Sequence, residues 1–341
     1  MKIMLRQLLT TAAVVVFCAM GVAADEWDDG QIKSTREMLA GKRVGFVPLS
    51  MGIDLGQVWL AALERDAKRF GYEIVVRESG WSVQNGAQAI NQLIGEKVDL
   101  LVIHPAEVQA WAKLVKKAAK AGVPVVQVNM KSPNTGDAYV GANWYDASRL
   151  MVQQMHSMCA PENGGNGKIA IVQGVLTSPA NYIVRRSMDD FWDEFPGLTI
   201  VSDQPADYDS TKAKAVASTV LKQHPDLCGF IGMWEVMDMG IAAAVKEAEL
   251  KDSVRVVTSG GGEQKFSCDN ILNGNFDAVI SYEAEDVGYA LAAVVSSMLQ
   301  NPPKELGKSP VGVYTPSVAI TKDNVNDGMC WSLERVNKNG F

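Results

Sequence analysis

One feature limits this chain more than any other: short β-rich apolar runs alternate with amphipathic helical stretches, and successive strand starts fall roughly 23–31 residues apart. Arg43-Val-Gly-Phe-Val-Pro-Leu49 reads as a strand, after which Leu55, Val58, Trp59, Ala62, Leu63 and Phe70 recur at helical spacing. Further strands are predicted from near Glu73, Asp99 and Pro124, with helices over Val83–Ile94 and Val108–Ala121. Such intervals suit parallel strands joined by helical crossovers. The pattern returns after a Pro/Gly-rich link, Ser132-Pro-Asn-Thr-Gly136, and a helix near Trp144–Met158, with strands from near Lys168, Leu198, Gly229, Val254 and Asp277. The predicted fold class is α/β, with two doubly wound, Rossmann-like lobes built on parallel sheets. Leu100-Leu101-Val102-Ile103 and Ile169-Ala170-Ile171-Val172 are continuously apolar, as strands covered on both faces must be. In such sheets, ligands bind beyond the carboxyl ends of the strands.

Length supports two lobes, because 341 residues exceed the roughly 250–300 at which one hydrophobic core stops growing. The formal net charge of -7 argues against nucleic acid as a partner, since an acidic surface repels a phosphate backbone.

Lys2 and Arg6 precede an apolar run from Leu8 to Val22 that ends in Val22-Ala23-Ala24. A cationic start, a short apolar core and small residues at the cut describe an export signal, with cleavage expected after about Ala24. A lipid anchor on Cys18 is the weaker reading, because Phe17 stands where such signals need a small residue. Export leaves Cys159, Cys228, Cys268 and Cys330 where disulfides persist. Three pairings are open, as are buried free thiols, and no CxxC spacing suggests zinc or redox chemistry.

Little in the sequence points to catalysis. His104, His156 and His224 are too scattered for a metal site, and Gly260-Gly261-Gly262 lacks the order of a phosphate-cradling loop. Asp203, Asp207 and Asp209 do not complete a calcium loop. Neither a GxSxG elbow nor an HExxH pair occurs. Asp54 and Glu235 form the one obvious carboxylate pair for glycoside hydrolysis, and neither has an identified activating partner. No metal, cofactor or enzymatic activity is expected. An exported, two-lobed α/β chain of this kind suggests a receptor that encloses its ligand.

Five motifs in order carry a family resemblance: Val44–Phe70 closing on Phe70-Gly71-Tyr72, Val102-Ile103-His104-Pro105, Gly122-Val-Pro-Val-Val126, Gln204-Pro-Ala-Asp-Tyr208-Asp209, and Ile320-Thr-Lys-Asp-Asn324. The chain resembles the ribose- and galactose-binding (type I periplasmic binding protein) family, the soluble receptors of ABC sugar importers. The resemblance implies lobes joined by a three-strand hinge, with crossings near Gly141-Ala142, Tyr282-Glu283 and Tyr314-Thr315. One lobe would comprise 35–141 plus 283–314 and the other 142–282 plus 315–341. It also implies a periplasmic location, a monomer, and two partners: a small sugar or polyol and an ABC permease complex. An alternative role is a sugar or autoinducer-type receptor feeding a chemoreceptor or sensor kinase.

Carried over residue by residue, the cleft contacts implied are Asp54 after the first strand, His104 after the third, and Asn129 after the fourth. In the second lobe they are Arg185 (or its neighbour Arg186), Tyr208, Trp234, Gly260 and Tyr282. Asn129-Met130 stands where many relatives carry Asp followed by Arg, so the bidentate clamp of that pair is missing. Gly260 stands where many carry Asp. Trp81 reads as a packing residue, and Arg185 leaves a sugar acid open beside neutral sugars and polyols.

Overall fold

The computed structural model describes residues 30–134, 136–326 and 328–339; the expected export signal and the cut expected after Ala24 lie outside the described residues. Two six-stranded sheets organise the rest. The first contains β1 (Arg43–Val47), β2 (Glu73–Val76), β3 (Leu100–Ile103), β4 (Val125–Val128), β5 (Ala138–Ala142) and β11 (Val311–Thr315). Its order is β11-β5-β4-β3-β1-β2, parallel throughout. The second holds β6 (Lys168–Gln173), β7 (Thr199–Pro205), β8 (Gly229–Gly232), β9 (Arg255–Gly260), β10 (Ala278–Ser281) and β12 (Val318–Thr321), in the order β12-β10-β9-β8-β6-β7.

The predicted all-parallel second sheet needs one correction, because β12 runs antiparallel to β10. Only Pro316 and Ser317 separate β11 from β12, too few to turn the chain through a crossover, so it enters the second sheet still heading in its original direction. The Ser132–Gly136 stretch is likewise not a link between lobes; it joins β4 to β5 within the first sheet.

Local chemistry sets the elements. Helix α2 (Asp54–Phe70) buries Leu55, Val58, Trp59, Ala62 and Leu63 and stops at Gly71, whose positive φ closes the last turn onto the Ala67 carbonyl. Helix α4 (Val108–Lys120) starts where the Glu107 carboxylate accepts from the backbone N–H groups of Gln109 and Ala110. At the edge far from the cleft, Asp99, Asp137 and Asp277 each precede a strand and accept a neighbouring strand's N–H, from Arg43, Val125 and Val256 at 2.8–2.9 Å. The same device thus pins register in both sheets.

Among the described residues the chain passes between the sheets after β5, after β10 and between β11 and β12. After the first passage, α5 (Trp144–Cys159) covers β8, β9 and β10; after the second, α10 (Ala284–Gln300) returns to pack on α2 and β5. The terminal helix α11 (Leu333–Asn339), assigned from sequence to the second lobe, packs instead on α2, with Arg335 paired to Glu285 of α10. Just before it, Cys330 is bridged to Cys268 and the Trp331 indole donates to the Gly261 carbonyl at 2.7 Å. The tail is therefore fastened to both halves. The other disulfide, Cys159–Cys228, ties the end of α5 to the start of β8.

Candidate functional site

The carboxyl ends of both sheets face a shared, nearly closed cavity of about 30 Å³, far smaller than a sugar, so the halves must part for a guest to enter. His104 follows β3 and Asn129 follows β4; across from them stand Tyr208 after β7, Trp234 after β8 and Tyr282 after β10. Leu49, Leu55, Met130 and Met233 supply apolar wall.

Asn129 sits in the left-handed region at φ 59°, held there because its carbonyl accepts from the Tyr139 hydroxyl at 3.0 Å and the Trp144 indole at 2.6 Å. Close passage of β5 requires Gly141, since a β-carbon there would lie 2.6 Å from Asn129 Cα. This geometry leaves Asn129 Oδ1 buried and without a partner. His104 packs edge-on to Trp59, its Nε2 also unpartnered, and burial lowers its pKa to about 3. The neutral ring offers one donor and one acceptor.

In the second half, Asp207 and Tyr208 both take positive φ, which swings the Tyr208 ring over Gly174; any side chain at 174 would strike it at 2.1 Å. Burial pushes the Tyr208 hydroxyl up to about 12, and it sits 3.1 Å from Ser178 Oγ. Trp234 stands perpendicular to Tyr208 with ring centroids 5.9 Å apart, and its indole N–H has no partner.

Trp81, read from sequence as packing, belongs to this site. It is 41% exposed, takes φ 63°, and places its ring 6.1 Å from Tyr208 and 6.0 Å from Trp234, so the first half reaches across the cavity to the second. The Val108 N–H donating to the Thr177 carbonyl at 3.0 Å joins the halves nearby. Trp144, which also lines the cavity, was not singled out by sequence, although its place after a short apolar strand was a usable signal.

Three expected contacts lie elsewhere. Arg185 does not reach the cavity: its Nε donates to Asp203 and its Nη1 to Asp189, each at 2.7 Å, so the guanidinium is held against β7 and its own helix. Asp54 opens α2 and borders an adjoining vestibule, with burial raising its pKa and Lys265 partly opposing that rise. Gly260 makes room for a neighbour: a β-carbon there would come within 2.1 Å of the Glu235 carboxylate.

That carboxylate and Asp238, one helical turn apart at the start of α8 (Glu235–Glu247), are both buried; neither lines the central cavity, and Glu235 borders the adjoining vestibule. Glu235 Oε1 accepts from the Gly261 N–H at 2.8 Å while Oε2 has no partner. Asp238 Oδ2 accepts from Thr258 and from the Trp234 N–H while Oδ1 has none. Desolvation raises both to about 8. Among the described residues no cluster of His, Cys, Asp and Glu could hold a metal, and no helix is long and apolar enough to cross a membrane.

Comparison with known proteins agrees with this geometry. Residues 44–303 match the periplasmic binding protein domain. The chain is 30% identical over 175 residues to the D-ribose/D-allose-binding protein of Pseudomonas aeruginosa, covering 49% of this chain and 53% of that one. It is 25% identical over 216 residues to the D-apiose import binding protein of Paraburkholderia graminis, 63% of this chain and 67% of the relative. The alignment thus spans about half the length of the first of these relatives. An ABC transporter solute-binding protein from Burkholderia graminis in complex with D-arabinose has a TM-score of 0.74 at 20% identity, covering 86% of this chain and 98% of that one. A solute-binding protein from Bacillus halodurans with bound myo-inositol gives 0.74 at 17%, covering 84% and 96%. These relatives are substrate-binding proteins rather than enzymes. With its two doubly wound sheets, three passages and shared cavity, the chain belongs to the periplasmic binding protein family.

Proposed function

We propose that this protein is an exported receptor that encloses one small sugar or polyol between its two sheets and delivers it to an ABC-type membrane permease. The observation that carries the reading is a set of three buried, unpartnered polar atoms on one aromatic cavity: His104 Nε2 and Asn129 Oδ1 from the first half, Trp234 Nε1 from the second. A buried polar group left unpaired costs about 1–3 kcal/mol. A ring bearing several hydroxyls satisfies groups on opposite walls at once, and its apolar faces stack on Trp and Tyr. Binding then favours the conformation in which the halves meet, which is a shape a permease can read. Diversion of Arg185 into Asp203 and Asp189 removes the cation that a sugar acid would need. Two disulfides and the cationic-apolar start support export.

The test is thermal unfolding against a panel of pentoses, hexoses, polyols and sugar acids, followed by calorimetric titration of any hit. A ligand specific to the folded state raises the midpoint by mass action. One strong neutral hit is expected, with a change in tryptophan fluorescence, and Tyr208→Ala and Trp234→Ala lose it. Unchanged affinity in both variants refutes the site, and chemical turnover of the hit refutes the receptor reading.

A further inference from the structure

The charges around the cavity are one-sided. Among the described residues, none that lines the central cavity is Lys or Arg. On one side the cleft opens past Glu107, Asp207 and Asp209; Glu107 and Asp209 cap helices, and Asp207 pairs with Lys212. On the other it opens through the vestibule bordered by Asp54, Glu235, Glu263 and Glu334, where Lys265 is the single cation among the described lining residues. Asp54 comes from the first half, Glu235 and Glu263 from the second, so the carboxylates converge where the halves meet.

Glu235 distinguishes this arrangement from an ordinary acidic rim. Its side chain is 2% exposed, its Oε2 has no partner, and the chain keeps Gly260 bare to seat it. The adjoining Trp234 lines both the vestibule and the cavity. Burying a carboxyl without a counter-charge is costly, and the side chain then holds its proton instead. A cation arriving beside Trp234 would supply the missing charge, and an indole face attracts a cation in a desolvated site. A cleft walled by low-dielectric aromatic surface also focuses the field of its carboxylates outward, raising the local concentration of cations and excluding anions.

We infer that the guest is a polyhydroxylated molecule carrying a protonated amine, an amino sugar or amino polyol, with its ammonium paired to Glu235 and its ring held by His104, Asn129 and the aromatic walls. The inference rests on the small hydroxylated guest proposed above and adds its charge.

Calorimetric titration of the purified protein with matched sets tests it: glucose, glucosamine and N-acetylglucosamine, and myo-inositol beside an amino-deoxy inositol. In at least one set the amine binds about tenfold or more tighter than its neutral counterpart, a step within reach of one cation–aromatic contact and one ion pair, and N-acetylation abolishes the gain. Glu235→Gln removes most of this preference, read as the ratio of amine to neutral affinity within each set. Should that variant fail to fold, the unmodified protein still decides: amine affinity falls several-fold between about 0.01 M and 0.15 M ionic strength, where the screening length shortens from roughly 30 to 8 Å, and neutral-sugar affinity does not. Neutral compounds binding as tightly as their amines overturn the charge and leave the sugar reading intact. If no sugar, polyol or amine binds, both fall.

Discussion

The Glu235 carboxyl occupies the space that a β-carbon on Gly260 would need, at 2.1 Å, and its Oε1 accepts the next backbone N–H, that of Gly261, at 2.8 Å. Gly260→Ala therefore forces either the strand end or the carboxyl to move, and overpacking of this kind costs about 1–3 kcal/mol. Chemical denaturation should show that loss, together with weaker ligand binding. Gly95→Ala, at a helix end where nothing lies within 4 Å, serves as the control and is expected to be neutral or stabilising by up to about 1 kcal/mol. Equal behaviour of the two variants would show that the contact at Gly260 has no energetic weight.

Trp81 separates binding from folding. Its ring is 41% exposed and touches Tyr208 and Trp234 across the cleft, whereas Trp59 is fully buried in the first half, where its indole donates to the Ala284 carbonyl. Trp81→Ala is expected to leave the unliganded melting temperature within about 2 °C of the parent and to weaken ligand binding about tenfold or more, mainly through faster release. Trp59→Ala, by contrast, should lose about 3–5 kcal/mol of stability. A Trp81 variant that melts early and binds normally would make it the packing residue its sequence context suggested.

The disulfides span 69 and 62 residues, lengths at which closing the unfolded chain contributes about 4 kcal/mol each in the loop-entropy treatment. Replacing Cys268 and Cys330 together by Ser should cost about 2–5 kcal/mol. It should also increase hydrogen exchange in α11, whose hold on the second half runs through Cys330 and Trp331. Non-reducing peptide mapping that found any other pairing would remove the basis of this expectation.

Much of this architecture was legible because a parallel strand, a crossover helix and the next strand impose a long, regular interval that few other folds share. Strand β5, Ala138-Tyr-Val-Gly-Ala142, escaped notice because its neighbours in sequence are a loop and a helix start, and its partners β4 and β11 lie on either side of it in the sheet. At the site, the strand-end rule brought His104, Asn129, Tyr208, Trp234 and Tyr282 to one cavity. Arg185 was misplaced, although Asp189 four residues on was a readable competitor for its charge; the second, Asp203, comes from β7 and depends on tertiary packing. Gly260 looked like a lost contact because a linear motif does not show that Glu235, 25 positions earlier, fills the gap.

The same buried acids set a pH dependence with an unusual sign. Asp238 rises from 3.8 and Glu235 from 4.5, both to about 8, with desolvation the leading cause in each. For carboxyls raised in this way the folded protein keeps protons that the unfolded chain releases, so stability is greatest below the unfolded values. It falls as pH climbs through the window from about 4 to 8 and levels off above it. Carboxylates whose pKa is lowered by a neighbouring cation, such as Glu96 beside Arg43 and Arg77 and Asp226 beside Lys168, work the other way, but their contribution is lost only on acidification through the ordinary carboxylate range. They are exposed and screened. Buried His104, whose lowered pKa costs stability only below its ordinary value near 6.5, opposes the pair by about 1.4 kcal/mol at pH 5.5, so the two buried carboxyls still govern the neutral region. Denaturant titrations of the unliganded protein should therefore give a free energy at pH 5.5 larger by a few kcal/mol than at pH 8.5, since each tenfold change in a group's acidity between the folded and unfolded chain is worth about 1.4 kcal/mol. Asp238→Asn keeps the shape, can still accept the Thr258 hydroxyl, and removes one titrating group, so its slope should be about half that of the parent. A parent protein whose stability is flat or rises over that interval would mean that Glu235 and Asp238 are ionised in the fold, with a counter-charge or water reaching them.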